Sequence, residues 1–142
     1  KSLQFRGTVF ANAAGLINDV AFMIVYDRRP QAALPAITDI LTGTTSSSMA
    51  NDDNTSRFTI LKRSNFCLSG NSGTAGQQTG TTIMDADFFL PILKICNFNA
   101  LGTGAIDDID EGALYLVTLG GVAAGTAAAS MSGIFRTRFS EH

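Results

Sequence analysis

The stretch VYDRRPQAALPAITDIL, Val25–Leu41, decides how the rest of the chain is read. Upstream of it, Asp19 to Tyr26 is apolar at both parities. Val20, Phe22, Ile24 and Tyr26 point one way and Ala21, Met23 and Val25 the other, so the segment reads as a strand covered on both faces. It stops at Asp27-Arg28-Arg29-Pro30, where proline removes a ladder donor and bars its predecessor from the helical region. Beyond the corner, Leu34, Ile37, Ile40 and Leu41 fall on one helical stripe. Pro35 suits a first helical position and Gly43 a left-handed exit, which predicts one short helix near 35–42.

Working outward, Leu3, Phe5 and Val9 alternate with Gln4, Arg6 and Thr8, the period of a strand with one buried face. After a polar loop over 42–56, Phe58, Ile60, Phe66 and Leu68 share a parity and predict a long strand. A glycine-rich loop over 69–82 follows. Met84, Ala86, Phe88, Leu90 and Ile92 then alternate against Asp85, Asp87 and Phe89 in a strand limited by Pro91. Ile95 to Phe98 reads as a short strand, 99–112 as a loop with an acidic tip, and Ala113 to Leu119 as a central strand apolar on both faces. After a small-residue stretch over 120–130, a last strand sets Met131, Phe135 and Phe139 against Ile134, Arg136 and Arg138.

Seven strands, one helix and long Gly- and Ser-rich connections predict an all-β, antiparallel sandwich rather than βαβ units. The expected form is an eight-stranded jelly roll, which places its first strand upstream of Lys1. The length of 142 residues suits one domain, 1–142, and 45% apolar with 15% charged residues suits a globular one. No apolar run reaches a membrane span, and the chain carries no secretory pattern. Cys67 and Cys96 sit in apolar runs, where buried free thiols are expected, although two neighbouring strands would also allow a disulfide.

The Asp27-Arg28-Arg29-Pro30 corner, the return at Arg57-Phe58-Thr59-Ile60-Leu61-Lys62-Arg63 and the closing Phe135-Arg136-Thr137-Arg138-Phe139 together resemble coat proteins of geminiviruses and related circular replicase-encoding single-stranded DNA viruses. Leu34 to Leu41 and Gly104 to Leu116 resemble unclassified members of that group. The resemblance implies a jelly-roll capsid subunit, preceded by a basic arm, that self-assembles with copies of itself into a small icosahedral T=1 shell. It further implies a packaged circular single-stranded DNA genome, and a location in the virion and in the host nucleus or cytoplasm during assembly.

The formal charge of −2 gives no general attraction to nucleic acid, so any contact must be local or lie upstream. Arg136 and Arg138, joined by Arg6, Lys62 and Arg63, are the candidates for a surface that meets phosphates without reading sequence; the plainer reading is a charged outer sheet face. Asp27, Arg28, Arg29 and Pro30 are the candidates for a subunit contact; the plainer reading is a solvated turn in which Asp27 pairs with a local arginine. Asn51-Asp52-Asp53-Asn54 and Asp107-Asp108-Ile109-Asp110-Glu111 offer the oxygen ligands Ca²⁺ takes but lack the spacing of an EF-hand loop. Solvated loop tips explain them more simply, and no metal or cofactor is expected.

Catalysis is not expected either. The sole histidine is His142, no Ser-His-Asp or Cys-His set exists, and no glycine pattern opens a helix after a strand. No small-molecule substrate or membrane partner is therefore expected. Two competing functions remain: a trimeric secreted jelly-roll binding module of the cytokine or lectin type, and the shell of a small RNA satellite virus.

Overall fold

A computed structural model describes residues 1–11, 17–69, 83–99, 102–120 and 129–139. Of the loops read over 69–82 and 120–130, residues 70–82 and 121–128 lie outside the described residues, as does His142. The elements in order are β1 (Ser2–Ala11), β2 (Ile17–Asp27), α1 (Ile37–Ile40), β3 (Phe58–Ser69), β4 (Ile83–Asp85), β5 (Phe88–Pro91), β6 (Asn97–Phe98), β7 (Ile109–Glu111), β8 (Ala113–Gly120) and β9 (Ala129–Arg138). The fold is all-β with antiparallel pairing wherever the register is defined, as the alternations predict. Two compact units are distinguished: Lys1–Ala21, Asn65–Leu93 and Gly120–His142 in one, Phe22–Ser64 and Lys94–Leu119 in the other.

In the first unit β1 is the hub. It pairs along its whole length with β9, from Ser2↔Arg138 to Ala11↔Ala129, and on its other edge with β5 and β4. Leu3, Phe5 and Val9 are buried, so the period-two reading of this strand holds. The register places Phe5 opposite both Phe88 and Phe135, and the rings meet at centroid separations of 5.5 and 4.4 Å. Each aromatic pair adds about 0.5–1.5 kcal/mol beyond the area it buries. The Phe5 ring needs room, and the Gly7↔Gly133 pair supplies it: a Cβ at Gly133 would stand 2.5 Å from that ring.

The predicted strand over 84–92 is divided into β4 and β5, yet its register is unbroken. From Phe5↔Phe88 to Thr8↔Asp85 both strands advance three residues, so nothing is inserted. The division falls where Asp87 Oδ1, in place of a backbone carbonyl, accepts the Gly7 N–H at 3.0 Å, while Ala86 N–H still donates to the Gly7 carbonyl at 2.9 Å.

β2 lies between β3 and β8, and every residue from Val20 to Asp27 is buried, as its two apolar parities demand; from Phe22 on the strand belongs to the second unit. Met23 and Val25 form a core with Ile40, Leu41 and Phe58, and Ile37, Ile60, Val117 and Leu119 pack against it. On the other parity Tyr26 donates its hydroxyl to the Ile95 carbonyl at 2.9 Å, with the Lys94 ammonium 5.2 Å from its ring centroid.

Several expectations are corrected here. The helix is one turn, Ile37–Ile40, so Leu34 lies before it and is 76% exposed. Ala36 has no capping side chain, and its N–H is taken instead by the Asp39 carboxylate at 3.0 Å. Leu41 is already extended and bridges Ala50, which ends the helix without any left-handed turn at Gly43. β8 is an edge of the described three-stranded sheet rather than its centre, and its outward Leu114 and Leu116 are exposed. The acidic loop contains the short strand β7, which pairs with β6 through a bulge. Cys67 and Cys96 are free but exposed: Cys67 has the parity opposite to buried Leu68, and Cys96 precedes β6 outside any strand. Desolvation of its sulfur still pushes the Cys96 thiol up.

Candidate functional site

The charged corner is built from a buried carboxylate. Asp27, the last residue of β2, is fully buried, and an ionised carboxylate there must be paired and hydrogen-bonded to be tolerable. Its partner is Arg57, not Arg28 or Arg29. The guanidinium of Arg57 donates from Nε to Asp27 Oδ1 at 3.0 Å and from Nη2 to Oδ2 at 2.9 Å, a two-pronged pair that fits the rigid fork of arginine. Asp27 Oδ1 also accepts the Arg29 N–H at 2.9 Å, and the Arg28 N–H donates to the Arg57 carbonyl at 2.9 Å. The carboxylate thus fixes the turn that follows it and joins it to the residue just before β3.

The hydrogen bond to Asp27 raises the pKa of Arg57. Its guanidinium also lies 4.6 Å above the Phe58 ring centroid. Tyr115 on β8 has a buried hydroxyl with no hydrogen-bond partner, and its pKa is raised by burial and then by the charge of Asp27. The expected solvated turn with a local arginine partner is therefore corrected: Asp27 is buried and its partner lies thirty residues away in sequence. Arg28 and Arg29 are exposed and Pro30 half-buried, which leaves both guanidiniums on the surface of the corner. Ala32, just beyond, is held at φ 53°, in the left-handed region that side chains avoid.

The five basic candidates divide. Lys62 and Arg63 belong to the second unit. Arg63 is engaged in bracing the polar loop: Nη1 donates to the Ser48 carbonyl at 2.6 Å, and Nη2 donates to the Ser46 carbonyl. Other polar side chains nearby do likewise, with Asn51 Nδ2 donating to the Thr38 carbonyl and Asn54 Nδ2 to the Asp39 carbonyl, both at 3.0 Å. Lys62 is exposed.

Arg6, Arg136 and Arg138 are brought together on the first sheet. Gln4 pairs with Arg136, Arg6 with Ile134 and Ser2 with Arg138, so all three arginines stand on the face opposite to Phe5. All three are exposed. Other neighbours of β1 on that face include Pro91 beside Ser2, Phe89 beside Gln4, Asp85 beside Thr8 and Ile83 beside Phe10. Asp87 forms a long, exposed ion pair with Arg6 at 3.6 Å, an arrangement with little stabilising value. Phe89 is 62% exposed on a face that also carries the exposed Ile134 beside Arg6, and it was not singled out from the sequence as a site residue. Its signal was there: an aromatic at the parity of Asp85 and Asp87.

The acidic segments do not gather ligands. Among the described residues no three metal-ligating side chains converge. Asp108, the buried member of the second cluster, is engaged by the Thr103 hydroxyl at 3.0 Å and by the Gly104 N–H. Asn51 Oδ1 caps its own turn by accepting the Asp53 N–H at 3.1 Å. Among the described residues no helix is long and apolar enough to cross a membrane.

Two findings about known proteins bear on this geometry. A family model described as "Geminivirus coat protein/nuclear export factor BR1 family" matches residues 1–141. No curated protein matches the chain.

Proposed function

The chain belongs to the geminivirus coat protein family, and from that premise we propose that it is a structural tile: it joins copies of itself into an icosahedral shell around circular single-stranded DNA. The observation that carries this reading is the family match over residues 1–141. The antiparallel all-β architecture is compatible with a jelly-roll shell domain. In this reading the role is mechanical. Small contacts repeated around closed symmetry axes add up to a durable particle without any chemical step.

The surface supports the same reading. Ile95 and Phe98, at 58% and 68% exposure, and Leu114 and Leu116 on the rim of β8 are apolar groups of the kind that protein interfaces bury at their centres. Arg28 and Arg29 project from a corner held rigid by Asp27 and Arg57, and rigid arginines suit contacts with carboxylates of a neighbouring subunit. The exposed Arg6, Arg136 and Arg138 supply a phosphate-binding surface on a chain whose net charge would otherwise not favour DNA.

The test is assembly. The purified chain is incubated with circular single-stranded DNA, separated by size-exclusion chromatography and viewed by negative-stain electron microscopy, and the DNA is then challenged with nuclease. Closed particles protecting the DNA are expected. A stable small oligomer that leaves the DNA open to digestion under all assembly conditions refutes the proposal.

A further inference from the structure

The outward face of the first sheet carries more than charge. Its register sets Arg136, Gln4 and Phe89 side by side on three adjacent strands, with Arg138 and Pro91 flanking Ser2 in the next row of that face. With strands about 4.8 Å apart, the Phe89 and Arg136 positions are roughly 10 Å from each other, with the half-buried Gln4 between them. Asp85 and Asp87 lie toward the Thr8 end, so the positive end of the face is the one that holds this row. Exposed apolar residues on a strand are ordinary, and Ile134 and Ile83 are exposed on this face too. An exposed aromatic ring in one row with an arginine, and next to a second, is the pairing that single-strand binders use: cations along the backbone and a flat platform for a base.

We propose that the Arg136–Gln4–Phe89 row is a subsite for single-stranded DNA, in which an unpaired base stacks on the Phe89 ring while Arg136 and Arg138 hold the flanking phosphates. This rests on the coat-protein reading and deepens it by naming a contact and a mode. Gln4, with its amide between ring and guanidinium, is placed to bond a base edge. The subsite rejects duplex DNA, whose bases are already stacked on one another, and it tolerates any base, because every base has a π face.

The absence of tryptophan from the chain gives a direct probe. Full-length protein carrying F89W is titrated with oligo(dT), with an RNA strand of equal length and with a duplex of equal length, following indole emission. Wild type, F89S, R136Q and R138Q are compared by fluorescence anisotropy across a salt series. Quenching by oligo(dT) but not by duplex is expected. F89S should lose about fivefold or more in affinity with an unchanged salt slope. R136Q and R138Q should each reduce that slope by about 0.7. Equal quenching by RNA would show that the subsite reads unpaired bases rather than the sugar, which the stacking mode allows. If wild type binds oligo(dT) while F89S binds as well as wild type and F89W stays unquenched, the subsite is wrong and the coat-protein reading stands. If wild type binds no single strand at all, the subsite and the packaging role fall together.

Discussion

Replacing Arg57 with methionine is the sharpest test of how the corner is held. The substitution keeps most of the aliphatic stem over Phe58 but strands Asp27, which is fully buried, with the Arg29 N–H as its remaining donor in place of three. Removing one partner of a buried pair costs about 3–5 kcal/mol, because the other charge stays desolvated. Against a total stability of about 5–15 kcal/mol this is a large share, and it lowers Tm by about 10–20 °C. Asp27→Asn is milder, at about 1–3 kcal/mol. The Asn carbonyl can still accept from Arg29, and the released Arg57 side chain is already 19% exposed and can hydrate. Arg57→Lys falls between, since it keeps the charge and loses the fork. Because Asp27 is sealed from solvent, the penalty persists in high salt, unlike that of a surface pair. Thermal melts of the four proteins by circular dichroism, at low and high salt, read the order. Arg57→Met within a few degrees of wild type, or Asp27→Asn more damaging than Arg57→Met, refutes the account.

Three further outcomes are expected. Tyr115→Phe removes a buried hydroxyl that has no hydrogen-bond partner, so it should leave stability unchanged or raise it, as judged by urea unfolding. Gly133→Ala puts a methyl group 2.5 Å from the Phe5 ring and 2.7 Å from the Arg6 carbonyl oxygen, and the overpacking should cost about 1–3 kcal/mol by the same measure. The two tyrosines, Tyr26 and Tyr115, both have raised pKa values in the folded protein, in each case chiefly through burial. A raised folded pKa means that the unfolded chain releases its protons first as the solution becomes alkaline. This part of the stability is complete below the unfolded tyrosine value of about 10 and is lost as pH climbs through the folded values. Phenolate absorbance, uncomplicated by tryptophan, should rise later in the folded protein than in urea.

The sequence was legible where a period had only one interpretation. Leu3, Phe5 and Val9 must face a core, the double apolar parity of Val20 to Tyr26 must be covered on both sides, and both are so. The 84–92 alternation reads as one strand, and β4 and β5 do keep a single alignment against β1. Misreadings arose where tertiary pairing overrides pattern. Ala113 to Leu119 looks central because both parities are apolar, yet a sheet edge also accepts leucines on its open face. Cys67 looks buried because its neighbours are apolar, although parity alone turns it outward from Leu68. At the candidate site, the motif Asp27 to Pro30 was found, but its key partner Arg57 was not. Two arginines directly beside the carboxylate drew attention from the fact that a carboxylate ending a buried strand needs a cation that can approach from across the fold.

The β1–β9 ladder bears on how the molecule comes into being. All ten positions of β1 wait for partners that are synthesised more than a hundred residues later. Contacts so distant in sequence are slow to form, and until β9 leaves the ribosome one whole side of β1 presents open backbone groups to whatever is nearby. A nascent chain interrupted before residue 129 would therefore be adhesive along that edge. Crowding of polysomes making this protein in quantity favours strand capture between neighbours, and completion of β9 is the event that ends that exposure.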